Sequence, residues 1–294
     1  MGAARSVLHG LGRQVLHGRL ILHAVILCLV VIWLLPTLGT LVTSFRRAPD
    51  INDTGWWTVL SQPFNFTQYT LENYHQVITK QGLGRAFLNS LIITVPATLL
   101  PLFIASFAAF GFAWMDFRGR DLLFMLSVGL LVVPLQMTFI PILKVFNTLH
   151  LSGTYLGIWL AHTGYGMPLT LYLMHNFISE LPRDLFDSAA IDGASPLQMF
   201  FRIVIPLSVP AIASVTIFQF LWVWNDLLVA LIYLGGSPKV APLTLTIANL
   251  VGSRGQAWWL LTAAAFLSMV LPLVVFFSMQ RYFIRGILAG SVKG

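Results

Sequence analysis

Acidic side chains, which can serve in acid–base chemistry or in ion pairs, are scarce in this sequence and crowded in one place. The 294 residues include only ten Asp and Glu. Three of the ten, Asp184, Asp187 and Asp192, lie in or beside the stretch DSAAIDGASPLQMFFRIVIPLSVP, residues 187–210, between two long apolar runs. The same stretch contains Gly193 and several other small residues, so it combines charge with room for a close neighbour.

Motifs for catalysis and for metal or nucleotide binding are absent from the sequence. Each of the four lysines follows a residue other than glycine, which excludes the phosphate-binding pattern G-x-x-x-x-G-K-[ST]. No His precedes Glu, no G-x-S-x-G is present, and the single Cys leaves no spaced Cys/His set. We therefore predict no catalytic residues, no metal ligands and no cofactor in this chain.

The overall composition is that of a membrane protein. Hydrophobic residues make up 57% of the chain and charged residues 9%, whereas soluble domains carry about 25% charged residues. Apolar segments of about 20 residues recur, and each must be helical because backbone amides in lipid need partners within the segment. The sequence thus predicts an all-α polytopic protein with six transmembrane helices. The predicted spans are residues 20–45, 86–114, 121–143 (interrupted by Pro134 and Pro141), 154–177, 203–234 and 258–282.

Basic residues near the span ends predict the orientation. With a cytoplasmic N-terminus, ten of the 17 Lys and Arg lie inside, and the other seven lie in longer external loops that count for less. An even number of spans returns the C-terminus to the cytoplasm. The predicted organisation is a cytoplasmic N-terminal segment (1–19), a transmembrane domain (20–282) with a cytoplasmic segment at 180–206, and a cytoplasmic C-terminal tail (283–294).

The segment at 180–206 is predicted to form two short helices outside the bilayer. Ser179 is a candidate N-cap, and Pro182 fits the first turn of the first helix. Gly193 ends that helix, and Ser195-Pro196 begin the second as N-cap and first residue. One face of the first helix carries Leu181, Leu185 and Ala189. The small residues offered to a neighbour are Ser188, Ala189, Ala190, Gly193 and Ala194.

A polar stripe is predicted within the fifth span. Thr216, Gln219, Val223 and Asp226 fall on one face at 100° per residue. Two alternatives stay open for this stripe: lining a translocation path at the interface with a partner, or interhelical hydrogen bonding in a packed bundle. The fourth span contains two histidines, His162 and His175, for which an intramembrane polar function and simple hydrogen bonding between helices are the alternatives.

The last external loop, residues 235–257, is rich in residues that interrupt regular structure. Gly235-Gly236, Pro238, Pro242 and Gly252 argue against a long regular element there. A solvated loop and a contact surface for another protein are both consistent with this composition.

The chain resembles the permease subunits of ABC importers. Asp187-Ser188-Ala189, three residues, Gly193, nine residues and Ile203-Val204-Ile205-Pro206 resemble their E-A-A-x3-G-x9-I-x-L-P signature, with Asp for Glu, Ser for Ala and Ile for Leu as departures. The stretches LNSLII (88–93), WNDLLVALIYL (224–234) and QRYFIRGILAGSVKG (280–294) extend the likeness to the carbohydrate-uptake group, in particular the subunit similar to the second maltose-transporter permease.

This resemblance implies a set of partners. A related second permease would share the translocation path, two ATP-binding subunits would bind ATP and Mg²⁺, and an extracytoplasmic solute-binding protein would deliver sugar; nucleic acid is not implied. The location would be the bacterial inner membrane. By resemblance, residues 180–206 form the segment that couples to the ATPase, and we call them the coupling segment. The implied coupling residues are Asp187, Ser188, Ala189, Ala190, Asp192, Gly193, Ala194 and Pro206. The implied contacts with the binding protein are Thr244, Asn249 and Arg254.

The first external loop bears on the substrate. INDTGWWTVL (51–60) resembles permeases similar to those for α-glucosides and glucosylglycerol. Trp56 and Trp57 are open to a second interpretation as interfacial aromatic anchors. Two other function classes remain as alternatives. An ion-gradient-driven secondary transporter of a small polar solute would depend on Asp226 as its only suitable carboxylate, and a membrane scaffold without transport would not require the polar stripe.

Overall fold

A computed structural model describes residues 2–253 and 257–291, with side chains for 19–250 and 257–281. All regular elements of the described residues are helical, which confirms the all-α prediction; one isolated bridge pairs Arg46 with Tyr69. The chain divides into two units, Met1–Val77 with Gln256–Phe266 and Ile78–Gly255 with Leu267–Gly294.

The first unit contains the first apolar helix and a folded loop that follows it. Arg46 is buried in this loop, where its guanidinium donates hydrogen bonds to the carbonyl oxygens of Asp50 (2.8 Å) and Thr54 (2.9 Å). Trp56 packs on Gly39, because a Cβ at that glycine would lie 2.7 Å from the indole nitrogen. The helices are α1 (Gly2–Phe45), α2 (Ala48–Asp53) and α3 (Glu72–Thr79), with 3₁₀ turns at Trp56–Ser61 and Phe66–Gln68.

The second unit is built on two long helices that pack along one another. These are α4 (Leu83–Trp114) and α7 (Tyr155–Ile178), and α11 (Val209–Trp224) packs against both. The remaining helices are α5 (Arg120–Gly129, followed by a 3₁₀ turn Leu130–Val132), α6 (Leu135–Thr148), α8 (Arg183–Ile191), α9 (Pro196–Met199), α10 (Ile205–Leu207), α12 (Leu228–Leu234) and α13 (Leu243–Ser253). The last, α14 (Trp258–Ser291), contributes to both units.

Several helices are long and apolar enough to cross a membrane. Within the described residues, Arg19–Phe45, Leu83–Trp114 and Trp258–Arg281 meet this requirement, and two bent helix pairs raise the number to five if each pair is one span. The fourth predicted span coincides with α7, a 24-residue helix that is not among these five. The count of six therefore stays a prediction.

The third and fifth predicted spans are broken rather than continuous. α5 with its 3₁₀ turn meets α6 at 104°, and the break falls at Pro134, which cannot supply a backbone N–H to continue the helix. The segment Pro196–Leu207 meets α11 at 76°. There a π-helical turn, Phe200–Val204, and two prolines, Pro206 and Pro210, interrupt the normal hydrogen-bond ladder, which accounts for the bend.

Three prolines inside the long helices are matched by side-chain donors from other helices. A proline has no N–H, so the carbonyl four residues earlier loses its helical partner. In α4, Pro96 leaves the Ile92 carbonyl in this state, and the Trp159 indole N–H donates to it at 2.9 Å. Pro101 likewise leaves the Ala97 carbonyl without its helical donor, and the Gln219 amide donates to that carbonyl at 3.2 Å.

The last helix repeats this arrangement. Pro272 in α14 leaves the Ser268 carbonyl without its helical donor, and the Trp224 indole N–H supplies one at 3.0 Å. Gly166 makes the Gln219 contact possible, because a Cβ at that position would lie 2.4 Å from the Gln219 amide nitrogen. These bonds tie helices together at points where a helix alone leaves a carbonyl acceptor unsatisfied.

A double-mutant cycle tests the pairing of Pro101 with Gln219. Gln219→Leu is expected to lower the free energy of unfolding by about 1–2 kcal/mol, because it leaves the Ala97 carbonyl without a donor. Pro101→Ala restores a backbone donor within α4, so the same Gln219→Leu change is expected to cost much less in that background. The measurement is thermal unfolding of the detergent-solubilised protein. Equal costs in the two backgrounds would contradict the pairing.

Candidate functional site

The first helix of the coupling segment begins later than predicted. α8 starts at Arg183, with Pro182 at its N-cap position in an extended conformation. Ser179 is instead the C-cap of α7, so its assignment as the N-cap of this helix was wrong. The physical reason is Pro182 itself, because a proline disfavours the helical conformation in the residue before it, here Leu181.

The turn at Gly193 has the predicted form. Gly193 has φ +75°, in the left-handed region that favours glycine. The Ala194 N–H donates to the Ala189 carbonyl at 2.9 Å, and the Gly193 N–H donates to the Ala190 carbonyl at 3.0 Å. This pair of bonds is a Schellman motif, which satisfies the last carbonyls of α8 and ends the helix.

The second half restarts at Ser195, also as predicted. The Gln198 N–H donates to the Ser195 hydroxyl at 3.3 Å, and the Ser195 N–H donates to the Gln198 side-chain oxygen at 2.8 Å. This capping box opens α9, which continues into the π-helical turn. Local sequence thus determines the conformation of both ends of the turn.

A cluster of aromatic rings holds the coupling segment to α4. Phe186 of α8 is buried and stacks on Trp114 with ring centroids 3.8 Å apart. Phe200 is fully buried and stacks on Phe107 at 3.9 Å, with Phe110 at 5.7 Å. We call these five residues the aromatic anchor. It fixes one ring on each side of the Gly193 turn, so the turn is held at both ends.

The end of α7 joins the same arrangement. The Trp114 indole N–H donates to the carbonyl of Ile178 at 3.0 Å, the last residue of α7. The residue four positions later is Pro182, which cannot donate to that carbonyl. Trp114 therefore positions α8 in two ways, through its ring face on Phe186 and through its N–H on α7.

The face predicted to carry Leu181, Leu185 and Ala189 is not the one on which α8 packs. Leu185 is 42% exposed, whereas Phe186 is 6% exposed. Leu181 lies before the helix, which begins at Arg183, and both Leu181 and Ala189 are half-buried. The sequence analysis missed Phe186, and the signal available was that it is the only aromatic residue in α8.

The opposite face of the turn is exposed. Ile191 is 87% exposed at the end of α8, an apolar residue that the sequence analysis also missed. Among the described residues, no ion pair includes Asp184, Asp187 or Asp192. Of the predicted coupling residues, Ala189 and Ala194 are half-buried, and the exposed ones are Asp187, Ser188, Ala190, Asp192, Gly193 and Pro206.

The predicted polar stripe does not lie on one helix. α11 ends at Trp224, so Asp226 is beyond it, while Thr216, Gln219 and Val223 remain on α11. Gln219 and Val223 are buried within this chain, and the Thr216 hydroxyl donates to the carbonyl of Ile212, its own helix. The Gln219 amide makes the interhelical hydrogen bond that was one of the two alternatives. The pore-lining role of the four residues stays a prediction.

Asp226 ends the regular helix because it caps the next one. Its carboxylate accepts the backbone N–H groups of Val229 (3.3 Å) and Ala230 (3.0 Å) in the first turn of α12. His162 of α7 is buried, with its Nε2 3.8 Å from the carboxylate. The Asp226 backbone carbonyl accepts the Thr244 hydroxyl at 2.6 Å. Asp226 therefore links α7, α12 and α13.

The loop at 235–257, predicted to be the last external one, contains more regular structure than predicted. α13 covers eleven residues, Leu243–Ser253, because Pro242 stands just before the helix, where a proline is tolerated, and Leu243 and Leu245 are buried. Of the predicted binding-protein contacts, Thr244 is half-buried, Asn249 is exposed and Arg254 lies outside the described residues.

Comparisons with known proteins agree on one family. Residues 101–288 match the family described as "Binding-protein-dependent transport system inner membrane component". The "Osmoprotective compounds uptake permease protein GgtD" of Synechocystis sp. is 60% identical over 275 residues, covering 94% of this chain and 92% of that protein. The "Alpha-glucoside transport system permease protein AglG" of Rhizobium meliloti is 53% identical over 232 residues, covering 77% of this chain and 61% of that protein.

Solved structures show the same fold. A chain of a bacterial ABC transporter involved in the import of alginate superposes with a TM-score of 0.72 at 19% identity, covering 90% of this chain and 95% of that one. The comparisons give no support to an ion-gradient-driven transporter. On the match across residues 101–288 and the identity to these permeases, this chain belongs to the family of binding-protein-dependent transport system inner membrane components.

Proposed function

We propose that this chain is a permease subunit of an ATP-driven carbohydrate importer and that it couples to ATPase subunits through residues 187–206. The observation that carries the proposal is the anchored turn. The aromatic anchor fixes Phe186 and Phe200 on either side of Gly193, while Ile191 and most of the small residues between them are exposed. A rigid protrusion with a small-residue surface suits a close contact that must transmit movement.

The proposed substrate is a di- or oligosaccharide or a glucoside. The support is the identity to permeases for osmoprotective compounds and for α-glucosides, together with the likeness of residues 51–60 to the glucoside group. In the first unit Trp57 is 62% exposed and Trp56 packs on Gly39, which favours a structural role for Trp56 and leaves Trp57 free for the membrane interface.

The proposed assembly contains a related second permease, two ATP-binding subunits that hold ATP and Mg²⁺, and a solute-binding protein. This chain would supply no ATP site of its own. Both termini would be cytoplasmic, and residues 283–294 would contact either the ATPase or anionic lipid; their side chains lie outside those described. Thr216, Gln219, Val223 and Asp226 are the proposed path residues, and Thr244, Asn249 and Arg254 the proposed contacts of the binding protein.

Transport by the assembled complex tests the proposal. The complex is reconstituted into proteoliposomes with its binding protein, and uptake of labelled α-glucosides is measured with and without ATP inside. We expect uptake that requires both the binding protein and ATP. Uptake that follows an imposed ion gradient and ignores ATP would contradict the proposal, and ATP-dependent uptake of a non-carbohydrate solute alone would contradict the substrate class.

A further inference from the structure

A polar cavity lies beside the start of α4. It has a volume of about 480 Å³ and is lined by the end of α3, the turn into α4, the first residues of α4, the segment before α13 and α13 itself. Its polar lining includes Gln81, Arg85, Thr246 and Asn249. In the proposed orientation it opens on the external side of the membrane.

The wall of this cavity is fixed by buried hydrogen bonds. The Asn89 amide, buried in α4, donates to the carbonyls of Lys239 and Ala241, each at 3.0 Å. The Tyr155 hydroxyl donates to the other end of the same amide at 2.7 Å, which orients it. The Ser90 hydroxyl, also buried, accepts the Leu243 N–H at 2.8 Å. The segment before α13 is therefore held in place against α4, and the cavity is a built feature of the fold.

The charge around the cavity has one sign. Arg85 lines it and is exposed, and no ion pair among the described residues includes Arg85. Lys80 and Lys239 are exposed and each adjoins a lining residue in sequence. The stretches 78–89 and 236–250, which supply the whole lining, contain no Asp or Glu. One cation thus lines the cavity and two more adjoin its lining in sequence, while the lining stretches supply no compensating carboxylate.

We propose that this cavity receives acidic side chains of the solute-binding protein. The inference rests on the proposed function, because it supplies the location and the chemistry of a contact with that partner. Charge complementarity favours carboxylates, which Arg85 can hold through two N–H groups. The cavity is continuous with α13, which carries Thr244 and Asn249, the proposed contacts of the same protein. Such a contact steers the encounter of the two proteins and weakens with salt.

The test uses the full transporter with its binding protein, and the readout is ATP hydrolysis at increasing binding-protein concentration. For Arg85→Glu the concentration giving half-maximal stimulation is expected to rise about tenfold at low salt, and Lys80→Glu is expected to act in the same direction. The matched control is Lys144→Glu in α6, an exposed lysine also predicted to be external, which is expected to leave that concentration unchanged. Abundance of the assembled complex is measured for every variant.

Salt provides a second readout. Raising the ionic strength should raise the half-maximal concentration for the unchanged protein and have a smaller effect on Arg85→Glu. Equal half-maximal concentrations for the unchanged protein and both charge reversals would overturn the proposal. A weaker apparent affinity for the transported solute, with an unchanged response to the binding protein, would also overturn it, because the cavity would then hold a solute. Failure of the binding protein to stimulate even the unchanged complex would instead refute the proposed function.

Discussion

Gly193→Trp is expected to abolish binding-protein-dependent uptake and to release the ATPase subunits during purification. Gly193 has φ +75°, so any residue with a Cβ strains the turn by about 1–2 kcal/mol. Among the described residues nothing lies within 4 Å of a Cβ at this position, so the indole would extend outward. If the turn packs against another subunit, the added volume of the indole costs about 1–3 kcal/mol more. The measurements are uptake and co-purification of the ATPase.

Two controls separate strain from lost contact. Asn tolerates the left-handed conformation and adds little volume. The Gly193→Asn variant should therefore retain most of the uptake. Gly119→Trp is the matched control, because Gly119 has φ +84° and lies in another loop predicted to be cytoplasmic, and no described residue comes within 4 Å of its Cβ position. Normal uptake by Gly193→Trp, or equal loss in Gly119→Trp, would contradict the docking role of the turn.

Phe186→Ala is expected to uncouple transport by detaching α8 from the bundle. Truncation of a buried Phe costs about 3–5 kcal/mol, and the stacking on Trp114 adds to it. Because α8 has no other buried residue, this loss falls on its attachment more than on the rest of the second unit. We expect the permease to remain in the membrane while uptake falls severalfold and the complex loses ATPase subunits.

The neighbouring residue provides the comparison. Leu185 is 42% exposed, so Leu185→Ala should change stability by no more than about 0.5 kcal/mol and leave uptake near normal. Phe186→Leu keeps an apolar side chain of similar size and should recover part of the loss. If Phe186→Ala transports normally at normal abundance, the aromatic anchor does not transmit force to the coupling segment.

Local signals in the sequence predicted the turn but not its attachment. Gly193 and the Ser195-Pro196 pair specify their conformations through nearest neighbours, which is why the helix end and the restart were correct. The burial of Phe186 depends on Trp114, which lies 72 positions earlier in the chain. A local sequence pattern cannot predict a contact between residues so far apart. The start of α8 was misplaced because Pro182 was assigned to the first turn when it stands before the helix.

Dependence on distant residues also explains why the polar stripe was predicted incorrectly as one helical face. A periodicity of 100° per residue assumes an unbroken helix, and Asp226 breaks it by capping α12. Asp is as suited to capping as to lining a path, so its type alone did not decide between the two. Burial of Gln219 depends on Gly166 and Pro101, residues of two other helices, and only the fold brings them together.

The proline-linked hydrogen bonds carry a consequence for how such a chain changes over evolutionary time. If Pro101 is replaced first, α4 gains a backbone donor and Gln219 is then free to drift. If Gln219 is replaced first, the buried Ala97 carbonyl loses the side-chain donor that compensates for Pro101, and the lineage passes through a less stable intermediate. Substitution histories should therefore run in one direction, proline before donor, and the Pro96–Trp159 and Pro272–Trp224 pairs should follow the same order.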